Sequence, residues 1–129
     1  MTRSSIQILH VDDDPNFTAL TADCIERAND QFTVQTAPTV SEGLAIIEAQ
    51  SIDCIISDYD MPGQNGIEFL KTIRDTRPDM PFILFTGEGN ESVASDAISA
   101  GVTEYKRKET GVEQFELLAN RIEIAVEQY

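Results

Sequence analysis

Two acidic clusters, Asp12-Asp13-Asp14 and Asp58-Tyr59-Asp60, each follow an apolar stretch of the chain. Carboxylates gathered at one place repel and resist joint ionisation unless a cation joins them. Hard oxygen donors at a surface cleft suit Mg2+, which keeps several waters and accepts one or two carboxylates together with a phosphate. Two further apolar stretches end in a hydroxyl, Thr86, and in a basic run, Lys106-Arg107-Lys108. A hydroxyl and an ammonium beside clustered carboxylates and a metal make a site for a transferring phosphoryl group. The cations neutralise the phosphoryl oxygens while a carboxylate attacks in line. Taken singly, these residues read as a solvated acidic loop, a helix cap and a strand-end threonine. For Asp14 the cap is the preferred reading, because Pro15 follows it directly. For Asp12, Asp13 and Asp58, two acidic segments that each end a strand favour a shared site.

The elements that must bring these residues together can be read from hydrophobic spacing. Segments 6–11, 32–37, 52–57, 81–85 and 103–106 read as strands. Several are near-continuous aliphatic runs, as in a parallel sheet covered on both faces. Helix-period segments lie between them. Asp14 caps the first, with Pro15 opening it and Phe17, Leu20, Cys24 and Ala28 at helical spacing. Thr39-Val40-Ser41-Glu42 has the capping-box pattern before Leu44, Ile46 and Ile47. Asn65 with Glu68 opens the third helix, which carries Ile67, Leu70 and Ile73 and ends before Pro78. Asn90 caps the fourth, which stops at Gly101. Thr110-Gly111-Val112-Glu113 reads as another capping box, ahead of the stripe Phe115, Leu118, Ile122 and Ala125. Strands alternating with helices in this rhythm predict a doubly wound α/β fold with a parallel sheet and right-handed crossovers. Ligands in such folds bind beyond the carboxyl ends of the strands, near the topological switch point.

Composition narrows the function further. A chain of 129 residues, 41% of them hydrophobic and with no internal linker, predicts one domain over 1–129. No apolar run is long enough to cross a bilayer, and no signal-peptide segment precedes the first strand, so a cytoplasmic protein is expected. Cys24 and Cys54 stand outside any metal-ligand or redox spacing and read as reduced, buried thiols. The net charge of −14 makes nucleic acid and anionic membranes poor direct partners. An acidic surface with lysine only at Lys71, Lys106 and Lys108 resembles that of a protein from a high-salt cytoplasm. The last helix runs to Tyr129 with no glycine to cap it, as in a piece of a longer protein or an ordinary frayed terminus.

Four separate segments then carry a family resemblance: Ile8-Leu9-His10-Val11-Asp12-Asp13-Asp14-Pro15, Asp58-Tyr59-Asp60-Met61-Pro62-Gly63, Phe85-Thr86-Gly87, and Gly101-Val102-Thr103-Glu104-Tyr105-Lys106-Arg107-Lys108. In order and spacing the chain resembles a CheY-like response-regulator receiver domain over nearly its whole length. The resemblance implies a (βα)5 flavodoxin-like three-layer sandwich with strand order 2-1-3-4-5. It implies that Asp58 is the phosphoacceptor, supplied by a sensor histidine kinase or a phosphotransfer protein. Mg2+, or Mn2+ in its place, is then held directly by Asp13 and Asp58, through water by Asp12, and by the backbone carbonyl of Asp60. Thr86 bonds a phosphoryl oxygen, and Lys108 pairs first with Asp58 and then with the phosphoryl group. Tyr105 matches an aromatic switch position that alters the face of the fourth helix, fifth strand and fifth helix, through which an output domain or a second copy is engaged. No enzymatic activity is implied beyond self-phosphorylation and autodephosphorylation.

The chain departs from the family pattern in three places. Glu109 follows Lys108 where the family has proline after a cis peptide, and a cis bond without proline costs about 2.5–4 kcal/mol. Asp60 adds a carboxylate at the cleft mouth. Gly87 and Glu88 follow Thr86, and a glycine there leaves the site open to water. Asp58-Tyr59-Asp60 also matches the nucleophile-x-acid spacing of haloacid-dehalogenase-type phosphatases, but that motif normally sits on a first strand, and strand one would then carry unexplained aspartates. A flavodoxin-like binding module would need a glycine- and hydroxyl-rich phosphate loop where Asp12-Asp13-Asp14 stands. His10, inside the first strand, reads as a packed core residue without a metal-binding or relay role.

Overall fold

Residues 5–87 and 91–127 are described by the computed structural model. Within them the βα rhythm is complete: β1 (Ile6–Val11), α1 (Pro15–Ala28), β2 (Phe32–Ala37), α2 (Val40–Ala49), β3 (Cys54–Ser57), α3 (Gly66–Thr76), β4 (Phe82–Thr86), α4 (Glu91–Ser99), β5 (Glu104–Arg107) and α5 (Glu113–Glu127). Every strand pairing is parallel, and the order is β2-β1-β3-β4-β5. This is the doubly wound flavodoxin-like sheet that the alternation of elements predicts. The order reverses between β1 and β3, so the switch point falls where Asp12 and Asp58 leave the sheet.

Two apolar layers flank that sheet because successive strand residues point to opposite faces. Leu9, Val11, Ile55, Phe82 and Leu84 pack with the buried sides of α2, α3 and α4. Ile6, Ile8, Cys54, Ile56, Ile83 and Phe85 pack with α1 and α5. The central strands β3 and β4 are buried along their whole length. Among the described residues no helix is long and apolar enough to cross a membrane. Both cysteines are free thiols, Cys54 buried and Cys24 half-buried.

Three helix starts follow the residues expected of them. Asp14 accepts from the backbone N–H groups of Asn16 and Phe17, with Pro15 opening α1. The Thr39 hydroxyl accepts from Glu42 N. Asn65 and Glu68 close a full reciprocal box. The residues 110–113 do not form the fourth. Gly111 takes φ +91°, a left-handed conformation that cannot be the first turn of a helix, and α5 begins only at Glu113. The expected cap of the fourth helix, Asn90, lies outside the described residues, as does Glu88.

Other boundaries shift by a residue or two. β3 begins at Cys54 rather than 52. Thr86 is the last residue of β4, and β5 takes in Lys106 and Arg107, leaving only Lys108 beyond its end. The α1 face also differs from the expected stripe. Leu20 is 47% exposed, while Thr18, Thr21 and Ile25 are buried. The threonines can face inward because their hydroxyls bond back to Pro15 O at 3.1 Å and Phe17 O at 2.8 Å within the helix. Apolar patterning alone does not count a self-satisfied threonine as a core residue.

His10 is fully buried in β1 among Phe17 and Phe85, as expected. Neither ring nitrogen has a hydrogen-bond partner among the described residues. Burial, with the positive charge of Lys108 adding to it, lowers the imidazole pKa to about 3, so the ring is neutral and carries one N–H without an acceptor. An orphaned buried donor costs about 1–3 kcal/mol. His10→Leu keeps an apolar side chain of similar bulk and removes that cost. The substitution is expected to stabilise the fold by about 1 kcal/mol, seen as a rise of about 4 °C in Tm at neutral pH. An unchanged or lower Tm would mean that water or another partner satisfies the ring.

Candidate functional site

Strand register sets two aspartates side by side. Val11 lies opposite Ser57 in the β1–β3 ladder, so the next residue of each strand, Asp12 and Asp58, emerges at the same edge. Backbone bonds hold both: Asp12 N donates to Ala37 O at 3.0 Å and Asp58 N to Val11 O at 2.9 Å. Asp12 and Asp58 are buried, whereas Asp13 faces solvent. One carboxylate oxygen from each of Asp12, Asp13 and Asp58 lies within 4.8 Å of the others. The aspartates expected to meet therefore do so. Asp14 is the helix cap and no part of this cluster. Asp60 is exposed, and its carboxylate is not among the three that converge.

The opposing charge comes from Lys108. Its backbone N–H continues the β4–β5 ladder to Thr86 O at 3.0 Å, which starts the side chain at the same sheet edge. Its Nζ reaches Asp12 Oδ2 at 2.7 Å and Asp58 Oδ2 at 3.4 Å. The other oxygens are engaged too: Asp12 Oδ1 accepts from Asp14 N at 3.0 Å, and Asp58 Oδ1 from Tyr59 N at 2.8 Å. Burial pushes the Asp12 carboxyl above its ordinary range, and the hydrogen bond from Lys108 opposes that shift. The same ammonium stands 4.3 Å from the centre of the Phe17 ring, a cation–π contact that gives it an apolar floor. Lys106 points elsewhere, toward Glu109 at 3.4 Å, and Arg107 is exposed. Of the expected basic run, only Lys108 reaches the carboxylates.

Thr86 is buried at the end of β4, one strand from Asp58. Tyr105 is half-buried, packs against the α2–α4 layer, and has a buried hydroxyl without a hydrogen-bond partner among the described residues. With Lys106, Leu117 and Arg121 it lines a shallow pocket between β5 and α5. The Lys108–Glu109 peptide is trans, so the chain avoids the cost of a cis bond without proline.

Sequence reasoning did not single out three residues that shape this site. Phe17 was expected only as part of an apolar stripe. Gly66, at the first position of α3, lies so close under Asp58 that a Cβ there would sit 2.2 Å from the Asp58 carbonyl oxygen. Gln114 is buried beside the Lys108 loop and bonds its backbone. An Asn-Gly pair at a helix start is a faint signal for Gly66, because glycine is a poor helix former there without a steric reason. Nothing local marks the other two.

The family model of the response regulator receiver domain matches residues 8–120. The photosynthetic apparatus regulatory protein RegA of Cereibacter sphaeroides is 33% identical over 101 residues, 78% of this chain and 54% of RegA. The chain thus spans about half the length of that relative. A response regulator receiver domain protein from Clostridium thermocellum has the same fold, with a TM-score of 0.84 and 30% identity over 95% of each chain. A CheY-like receiver domain protein from Methanospirillum hungatei JF-1 also scores 0.84, at 27% identity, covering 98% of this chain and 100% of that one. These matches lie in a signalling family rather than a family of catalytic enzymes. With the clustered aspartates at the switch point, they establish that the chain belongs to the response regulator receiver domains, the phosphoacceptor modules of two-component systems.

Proposed function

We propose that Asp58 is the residue that takes the phosphoryl group, with Asp12, Asp13 and Lys108 as its electrostatic frame. The observation that carries this reading is the Lys108 ammonium shared between Asp12 and Asp58 inside a cluster of three carboxylates. Asp58 attacks the phosphorus of a phosphohistidine on a sensor kinase or phosphotransfer protein. The new O–P bond forms as the N–P bond breaks, and the bonding pair stays on the donor's imidazole nitrogen.

The donor set suits Mg2+, or Mn2+, since it is made wholly of hard oxygen donors, three of them carboxylates. Bound there, the ion would neutralise phosphoryl oxygens as charge shifts between them. Asp13, which faces solvent, and Asp58 would hold it directly. Asp12, held by Asp14 N and most closely by the Lys108 ammonium, would link to it through water, and the carbonyl of Asp60 would complete the set. Lys108 neutralises the acceptor before transfer and the phosphoryl group after it. Thr86 hydrogen-bonds a phosphoryl oxygen through its hydroxyl.

The added charge of the aspartyl phosphate is read out at the face of α4, β5 and α5. Tyr105 sits there with a buried hydroxyl that has no hydrogen-bond partner among the described residues. Ile98 and Leu117 are 71% and 52% exposed on the flanking helices, apolar surface suited to an output domain or a second copy. The net charge of −14 keeps nucleic acid and anionic membranes from being direct partners and fits a cytoplasmic module.

Intact-protein mass after incubation with acetyl phosphate tests the reading. An adduct of about 80 Da is expected with Mg2+ and is expected to vanish when EDTA replaces it. Continuous turnover of the phosphodonor with no adduct would instead favour a phosphatase.

A further inference from the structure

Lys108 is the first residue after β5, on a loop that must hold an ammonium in a hydrogen bond to Asp12 and in an ion pair with Asp58. Its own N–H is fixed to Thr86 O at 3.0 Å. The next residue, Glu109, is exposed, with its carboxylate paired to Lys106 at 3.4 Å, and belongs to no strand or helix. Its backbone is nevertheless held on both sides by one side chain. Gln114 Oε1 accepts from Glu109 N at 2.7 Å, and Gln114 Nε2 donates to Glu109 O and to Gly111 O, the latter at 3.0 Å. Gln114 is only 5% exposed and sits in the first turn of α5, among the core residues that anchor that helix.

A primary amide offers one acceptor and two donors, and here all three are used on the Lys108 loop. A shorter amide would not reach, and an apolar residue would leave the loop's N–H and two carbonyls without these partners. Besides these, the loop backbone is held by Lys108 N to Thr86 O and by Phe115 N to Val112 O, both at 3.0 Å, neither of which touches Glu109. The left-handed Gly111, φ +91°, turns the chain so that its carbonyl faces the same amide.

We propose that Gln114 is a positioning residue for Lys108: by clamping both backbone groups of Glu109 it holds the ammonium on Asp12 and Asp58. This rests on the reading of Lys108 as the cation that faces the acceptor. Gln114 touches neither carboxylate and acts wholly through the loop. Misplacing a charged group by an ångström is enough to cost an order of magnitude in a transfer step.

The test is a double-mutant cycle in the full chain, with Gln114→Met and Lys108→Ala singly and together. Methionine matches glutamine in length and is at ease when buried, so the fold should survive. Two readouts are taken: the rate of adduct formation with acetyl phosphate, and the Mg2+ dissociation constant by titration calorimetry of the unmodified protein. Gln114→Met is expected to slow adduct formation about tenfold. It is also expected to tighten Mg2+ binding about threefold, because a withdrawn ammonium no longer opposes the ion. Both effects should shrink to less than about twofold in the Lys108→Ala background. Equal effects in both backgrounds, or no effect in the native one, overturn the clamp. A native chain that forms no adduct would defeat the receiver reading of the site, and the calorimetric cycle alone would then decide the clamp. If Gln114→Met melts below the assay temperature, Gln114→Glu replaces it in the cycle, since it keeps the acceptor for Glu109 N–H and loses both donated bonds.

Discussion

An Asp58→Asn chain is expected to take up no phosphoryl group under conditions that modify the native chain. The substitution preserves shape, and the side-chain carbonyl can still accept from Tyr59 N, now 2.8 Å from Asp58 Oδ1. What it removes is the nucleophile. An amide oxygen carries no full charge, and an amide nitrogen placed toward Lys108 sets donor against donor. The loss should exceed about a hundredfold, to below detection by intact mass. The fold should not suffer, because one of three clustered carboxylates has lost its charge and their mutual repulsion falls. A melting temperature equal to or above the native one is therefore expected alongside the lost adduct. Asp60→Asn supplies the contrast. Its carboxylate stands outside the cluster, and the proposed metal link runs through its backbone, so adduct formation should continue. If the adduct persists in Asp58→Asn, the acceptor is another residue. If Asp60→Asn abolishes it instead, the exposed carboxylate is doing proton transfer, as in the phosphatase reading.

Most of the frame around Asp58 is legible in the chain because its causes are local. Near-continuous aliphatic runs such as Cys54–Ser57 mark strands covered on both faces, and Asp14-Pro15 and Asn65 with Glu68 mark helix starts through bonds that span three residues. Register then brings Asp12 beside Asp58, since each follows a strand and the two strands are neighbours. Where the pattern misleads, a tertiary or conformational cause wins. Residues 110–113 have the capping-box composition, but the chain must first turn through Gly111, and Gln114 uses that turn to bond the Lys108 loop. Thr18 and Thr21 are polar by composition and core by placement, because the helix itself satisfies their hydroxyls. Phe17 beneath Lys108 joins residues 91 positions apart (108 less 17), a pairing that only the sheet order creates. The basic run by its composition does not tell its members apart, since which cation reaches the cleft depends on where β5 ends; only the family resemblance singles out Lys108.

Gly66→Ala separates local preference from tertiary fit by the sign of its effect. Gly66 is the first residue of α3 and does not have a left-handed φ. On helix propensity alone, alanine should stabilise such a position by up to about 1 kcal/mol. The packing predicts the reverse. A Cβ there would meet the Asp58 carbonyl oxygen at 2.2 Å, the Leu84 side chain at 2.8 Å and Tyr59 Cα at 3.0 Å. Two of those atoms are backbone, one of them in the residue that follows β3, so no rotamer change relieves the contact. Either α3 lifts away, losing the Gly66 N to Tyr59 O bond of 2.8 Å, or the segment bearing the acceptor moves. The expected cost is about 3 kcal/mol or more, at the upper end for overpacking because backbone is involved. Gly63→Ala is the control for conformation without clash: φ is +83° and nothing lies within 4 Å of its Cβ position, so a loss of about 1 kcal/mol is expected. Urea midpoints of the two variants against the native chain decide the matter. If Gly66→Ala is as stable as the native chain, the close approach beneath Asp58 is not present in solution. If it is destabilised and also slower to form the adduct at temperatures where it remains folded, then α3 and the acceptor share one backbone contact, and the strand-end placement of Asp58 depends on a glycine eight residues further along.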